Sequence, residues 1–161
     1  MRLPRCLVAC CAAVLLLVAC EGNDPMRLKP GQSTRTDVLA ALGTPAMEWT
    51  EPDGSVTLEF PKGPVGHHTW MARLDTDGVL RALDQVLTEP FFAKIANGMD
   101  KDQVRRILGR PGETRDFPLK PEEVWSWRFL DVPIEPYWFS VHFAPDGHVT
   151  GTSRSRVAQN H

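Results

Sequence analysis

The residues able to carry chemistry are few and scattered. His67 and His68 stand side by side between Gly66 and Thr69, in a stretch containing Gly63, Pro64 and Gly66. Imidazoles hold metal ions, but neighbours on an extended chain point to opposite sides, so one ion is awkward for both and an exposed turn is the competing reading. Glu122 and Glu123 follow Pro121; paired carboxyls can divide acid and base roles, but at a strand entrance the leading reading is a solvated turn. His142 and His148 have no nucleophile near them in sequence. No Gly-x-Ser-x-Gly, His-Glu-x-x-His or phosphate-binding glycine loop occurs. All four cysteines, Cys6, Cys10, Cys11 and Cys20, fall in the first twenty residues, so a Cys-x-x-x-Cys-Cys metal or redox site needs residues that processing would discard. No enzyme, cofactor or metal is therefore expected, and a hydrolase would need a composite site assembled across the fold.

The first twenty residues read as an address. Arg2 and Arg5 precede fifteen positions, 6–20, built only from Cys, Leu, Val and Ala. Crossing about 30 Å of hydrocarbon takes roughly 20 apolar residues, whereas a signal-peptide core of about 7 to 15 fits. The run ends Leu17-Val18-Ala19-Cys20, which resembles the lipobox of bacterial lipoproteins. That resemblance implies cleavage after residue 19 and lipidation of Cys20, with an ordinary secretory signal as the alternative. Acyl chains contribute about 0.8 kcal/mol per buried CH₂, and two already anchor stably. The expected divisions are a leader at 1–19, a lipidated tether at 20–27, two units at 28–87 and 88–156, and a tail at 157–161.

Composition narrows the function classes. The 161 residues are 42% apolar and 24% charged, with 18 Lys and Arg against 20 Asp and Glu. Loss of Arg2 and Arg5 with the leader leaves 16 bases against 20 acids, which disfavours nucleic acid and leaves membrane attachment to the acyl chains. Fourteen prolines and twelve glycines favour short strands over long helices.

The body reads as one unit written twice. Asp100 is an N-cap with Gln103 completing a capping box; Met99 and Val104 form a hydrophobic staple; Val104, Ile107 and Leu108 make an apolar face that stops at Gly109-Arg110-Pro111. Thr34, Asp37, Val38, Gly43 and Pro45 repeat the cap, face and stop at a constant offset of 66 residues. Strands are predicted at 56–60, 69–75 and 79–85 after the first helix, and at 124–130, 137–143 and 149–155 after the second. The last two of each set are joined through Asp77-Gly78 or Asp146-Gly147, read as type I′ turns. An additional helical turn is expected at 90–95. The fold class is α+β: tandem repeats of one or two short helices and a three-stranded antiparallel meander, helices on one face of the sheet. Two such units of about 65 residues would gain by sharing a core, with the sheets side by side or face to face.

The pattern Gly98-Met99-x-x-x-Gln103-Val104-x-x-x-Leu108-Gly109-x-Pro111, preceded by Phe92-x-x-Ile95 and followed by three strands, resembles the SmpA/OmlA (BamE-like) family of outer-membrane lipoproteins. The tandem is also similar to secreted β-lactamase inhibitory proteins, which pair two helix-plus-sheet repeats. The first resemblance implies a lipoprotein of the β-barrel assembly machinery in the outer membrane; the second implies an inhibitor or sensor of a periplasmic enzyme. A departure is the second unit, which that machinery's lipoprotein lacks.

Aromatic placement suggests where a partner would bind. All five Trp fall in or beside predicted strands. In the strand from Tyr137, alternation puts Tyr137, Phe139, Val141 and Phe143 on a core side, and Trp138, Ser140 and His142 on the other. Arg128 alternates away from Trp127 and Phe129. Trp138, His142 and Arg128 are the expected partner-binding residues, Trp and Arg being enriched at binding hot spots; the alternative is that the first repeat covers Trp138. The leader reading is checked by mass spectrometry of the processed chain: an acylated Cys20 at the N-terminus is expected, and a bare start contradicts it.

Overall fold

The computed structural model describes residues 24–63, 65–131 and 135–158. The leader, Cys20 and the start of the tether lie outside these residues. After a turn of 3-10 helix at Pro25–Arg27, the chain forms α1 (Arg35–Leu42) and strands β1 (Met47–Thr50), β2 (Val56–Pro61), β3 (Thr69–Leu74) and β4 (Leu80–Gln85). Then come α2 (Glu89–Phe92), α3 (Lys101–Leu108), β5 (Glu113–Phe117), β6 (Glu122–Asp131), β7 (Glu135–Phe143) and β8 (Val149–Arg156). The fold is α+β, with two four-stranded antiparallel sheets ordered β1-β2-β3-β4 and β5-β6-β7-β8. The three-strand expectation missed β1 and β5. Both are short and mostly exposed, so neither carries the period-2 alternation that marks a half-buried strand.

Helices α1 and α3 form for the reasons legible in sequence. The Thr34 hydroxyl and the Asp100 carboxylate each accept from the backbone N–H three residues on, and Asp37 and Gln103 return the bond to the N-cap N–H. Gly43 and Gly109 end the helices at φ +88° and +77°, which disfavours a side chain. The hairpin turns differ from expectation. Only the glycine of each Asp-Gly pair has positive φ, so these are not type I′ turns. Gly78 N–H donates to Asp75 O and Asp75 N–H to Val79 O; Gly147 and Ala144 repeat this pattern with His148. Three-residue loops of this kind, a type I turn closed by a left-handed glycine, leave the aspartates in ordinary backbone conformations.

Two apolar clusters hold the layers. Val38 and Leu42 of α1 pack with Leu58, Phe60, Ala72, Leu74 and Leu80 on one face of the first sheet. The larger cluster joins Val104 and Leu108 of α3 and Phe92 of α2 to Trp127, Phe129, Phe139, Val141 and Phe143, and also takes in Met71, Val86 and Leu87. Ile107 is only partly buried against it.

The second unit thus meets the face of the first sheet that α1 does not cover, and Glu59 fixes the joint. Its carboxylate is 0% exposed, accepting from Arg105 Nε at 3.1 Å and the Arg110 backbone N–H at 2.9 Å. Beside it the helix stop rests directly on β-strand side chains: a Cβ at Gly109 would lie 2.6 Å from Thr69 Cγ2 and 3.3 Å from Met71 Cε. The Gly109 carbonyl accepts the buried Trp127 indole N–H at 3.1 Å. At Gly43, by contrast, a Cβ meets nothing within 4 Å.

Urea unfolding checks this joint. Glu59→Ala should cost about 3 kcal/mol by leaving Arg105 and a buried N–H unpaired. Gly109→Ala should cost about 3 kcal/mol through strain plus overlap, and Gly43→Ala only about 1–2 kcal/mol, through strain alone. Equal costs at the two glycines would contradict the joint.

Candidate functional site

The second sheet has one face on the core and one turned away from it. Cross-strand pairs Arg128–Trp138, Ser126–Ser140 and Val124–His142 lie on the outer face, alternating with Trp127, Phe129, Phe139 and Val141 inside. The structure therefore brings Arg128, Trp138 and His142, the expected partner-binding residues, onto one face. Trp138 is half-buried and belongs to neither apolar cluster among the described residues.

Most polar groups of this face satisfy one another. Ser126 Oγ and Ser140 Oγ are 2.8 Å apart. His142 spans three strands: Nε2 lies 2.8 Å from Ser153 Oγ on β8, and Nδ1 lies 3.5 Å from Glu122 Oε2 on β6. Lys120 Nζ stands 2.8 Å from the same Glu122 oxygen. A bulge in the β7–β8 pairing adjoins this group, and Thr150 Oγ1 donates to His142 O at 3.2 Å. His142, which lacks a nucleophile nearby in sequence, acquires Ser153 through strand pairing.

Arg128 is the exception to this mutual satisfaction. Its Nε is buried without a hydrogen-bond partner, and no carboxylate pairs with it among the described residues. The first unit reaches the face here. His67, on the loop before β3, has its Nε2 likewise buried and unpaired. Burial first, and then the charge of Arg128 and the neighbouring His68, push His67 below its ordinary value, favouring the neutral ring.

The other sequence candidates separate. His68 stacks over Trp70, with ring centroids 6.5 Å apart, whereas His67 stands near Arg128. No group of three or more His, Cys, Asp or Glu is placed to hold a metal among the described residues. Glu122 and Glu123 are not a solvated turn: they begin β6, partly buried, and face opposite sides. Glu123 bonds Lys101 and the Trp125 indole N–H on the helix side. His148 pairs at 3.4 Å with exposed Asp146 in the last hairpin turn.

The Lys120 ammonium, hydrogen-bonded to Glu122, holds its carboxyl below the ordinary 4.5; burial opposes this, and the charges of Lys120 and His142 add to it. A depressed carboxyl stabilises the fold above the unfolded value, and that contribution is lost as pH falls through the lower folded value. Glu122→Gln should therefore flatten the decline in Tm below about pH 5. An unchanged acid limb would contradict the His142–Glu122–Lys120 arrangement.

No protein-family model matches the chain, and no curated protein does. Among solved structures, an osmotically inducible lipoprotein, OsmE, is similar at 28% identity over 43% of this chain and 72% of that one, with a TM-score of 0.36. A protein described as a β-lactamase inhibitor from Streptococcus mutans is similar at 12% identity over 76% and 82%, TM-score 0.33. A DUF4309-family protein from Bacillus subtilis is similar at 14% identity over 81% and 82%, TM-score 0.30.

Proposed function

We propose that the chain is an envelope protein-binding module, held to a bilayer by acyl chains on Cys20 and facing the periplasm, with its partner on the outer face of the second sheet. The observation that carries this reading is Arg128 beside Trp138. A half-buried guanidinium with no carboxylate partner among the described residues, next to a large aromatic outside both cores, is the composition of an interface hot spot. The leader and lipobox supply the address, and no helix among the described residues is long and apolar enough to cross a membrane. The partner proposed is the outer-membrane β-barrel assembly machinery, as the SmpA/OmlA resemblance implies. The tandem organisation, with units at 28–87 and 88–156, leaves the end face of the second unit for that contact. An inhibitor or sensor of a periplasmic enzyme would use the same face.

Affinity purification from detergent-solubilised envelopes tests the partner. Barrel-assembly components should copurify with the wild type; a periplasmic enzyme in their place would favour the inhibitor reading. Trp138→Ala should cost about 2 kcal/mol of binding, roughly 30-fold in affinity, with Tm unchanged. Lost stability with binding retained contradicts the interface.

One observation favours a second reading. Ser153, His142 and Glu122 have the connectivity of a nucleophile, base and orienting acid. Glu122 lines a cleft with Lys101, Phe117, Pro121 and Glu123, but neither His142 nor Ser153 does, so the three groups do not share one pocket. A fluorophosphonate probe separates the readings: the binding module leaves Ser153 unlabelled, whereas labelling at Ser153 that is lost in His142→Ala establishes a hydrolase.

A further inference from the structure

A second feature lies away from that face. Where the first sheet meets α2 and α3, a cleft of about 420 Å³ opens between the two units. Ligand sites occur preferentially at such junctions, and this volume is within the usual range of about 300–1,000 Å³. Its apolar lining comes from both sides: Met71 and Val86 from the first unit, 4% and 1% exposed, and Phe91 and Ile107 from the helices, partly buried.

The charges around the cleft are almost all committed. Arg73 pairs with Asp84 at 2.9 Å, and Arg106 with Glu51 at 3.0 Å, so each of these acids is neutralised by its own arginine. Lys94 differs. Its ammonium lies 4.0 Å from the centroid of the Phe91 ring, with no carboxylate partner among the described residues. The cleft thus sets four apolar side chains among paired polar groups, beside one cation that has no carboxylate partner among the described residues.

We propose that this cleft binds a single-chain amphiphile with a carboxylate head, of the alkanoate class, its chain against Met71, Val86, Phe91 and Ile107 and its carboxylate at the Lys94 ammonium. One uncommitted cation matches a monoanion; a phosphate dianion would be left half-neutralised. The hydrocarbon chain supplies the affinity, since each methylene removed from water strengthens binding, and the carboxylate supplies orientation. The proposal is independent of the partner-binding face, because none of Arg128, Trp138 and His142 lines the cleft.

The test is calorimetric titration of the processed chain, from residue 20 onward with Cys20→Ser, which carries neither the apolar leader nor acyl chains and needs no lipid that would compete. The probes are sodium octanoate, sodium decanoate, 1-decanol and decyl phosphate, all below their aggregation limits. Octanoate and decanoate should bind saturably, each methylene tightening binding about two- to fourfold. Lys94→Gln should weaken decanoate about three- to fivefold while leaving 1-decanol unchanged. Ile107→Gln should weaken decanoate and 1-decanol alike, whereas Lys94→Gln weakens decanoate alone. Absence of saturable binding, equal binding of decanoate and decanol in the wild type, or decyl phosphate binding more tightly than decanoate would each overturn the proposal.

Discussion

A buried carboxylate joins the two halves of this chain. Glu59 sits on the second strand of one sheet, closed to solvent, and both of its oxygens are taken by the helix of the other half: one by Arg105, the other by the N–H of Arg110 just past the helix stop. A charge in that position is tolerated only when fully paired, so the carboxylate fixes where the second helix ends and how it lies. Gly109 follows from the same constraint. The backbone comes so close to Thr69 and Met71 that no side chain fits, and its carbonyl, turned the other way, accepts the Trp127 indole. One turn of chain thus satisfies both sheets, and without disulfides in the body this packing has to hold the units together.

The two sheets differ at the position of this joint. In the first sheet the pair next to Phe60–Trp70 is Glu59–Met71; in the second, the pair next to Trp127–Phe139 is Ser126–Ser140. Where the first sheet offers a carboxylate to an incoming arginine, the second offers two hydroxyls already bonded to each other. Its outer face is therefore not built to receive another unit of the same kind. It is mostly self-satisfied, with His142 tying three strands together, and among the described residues the unpaired Nε of Arg128 lies beside Trp138.

Much of this was legible in the sequence because its signals are local. Capping boxes, glycine stops and the alternation of 137–143 depend on residues a few positions apart, and the side of Trp138 follows from the strand period alone. The missed strands β1 and β5 lie where burial is slight, so the pattern that reveals strands is absent. The turn types failed because Asp-Gly fits two hairpin geometries, and loop length decides between them. The pairing of Ser153 with His142, the split of Glu122 and Glu123 across β6, and the burial of Glu59 rest on register and on docking between units. No single stretch of sequence encodes these. The 420 Å³ cleft likewise exists only once Phe91 and Ile107 from one half face Met71 and Val86 from the other.

Native-state hydrogen exchange tests the dependence of each half on the other most directly. The account predicts that core amides of the first sheet, such as those of Leu58 and Ala72, and of the second, such as those of Val141 and Phe143, exchange through one common opening with the same free energy. Amides of one sheet opening at a markedly lower free energy, while the other keeps its full protection, would contradict it.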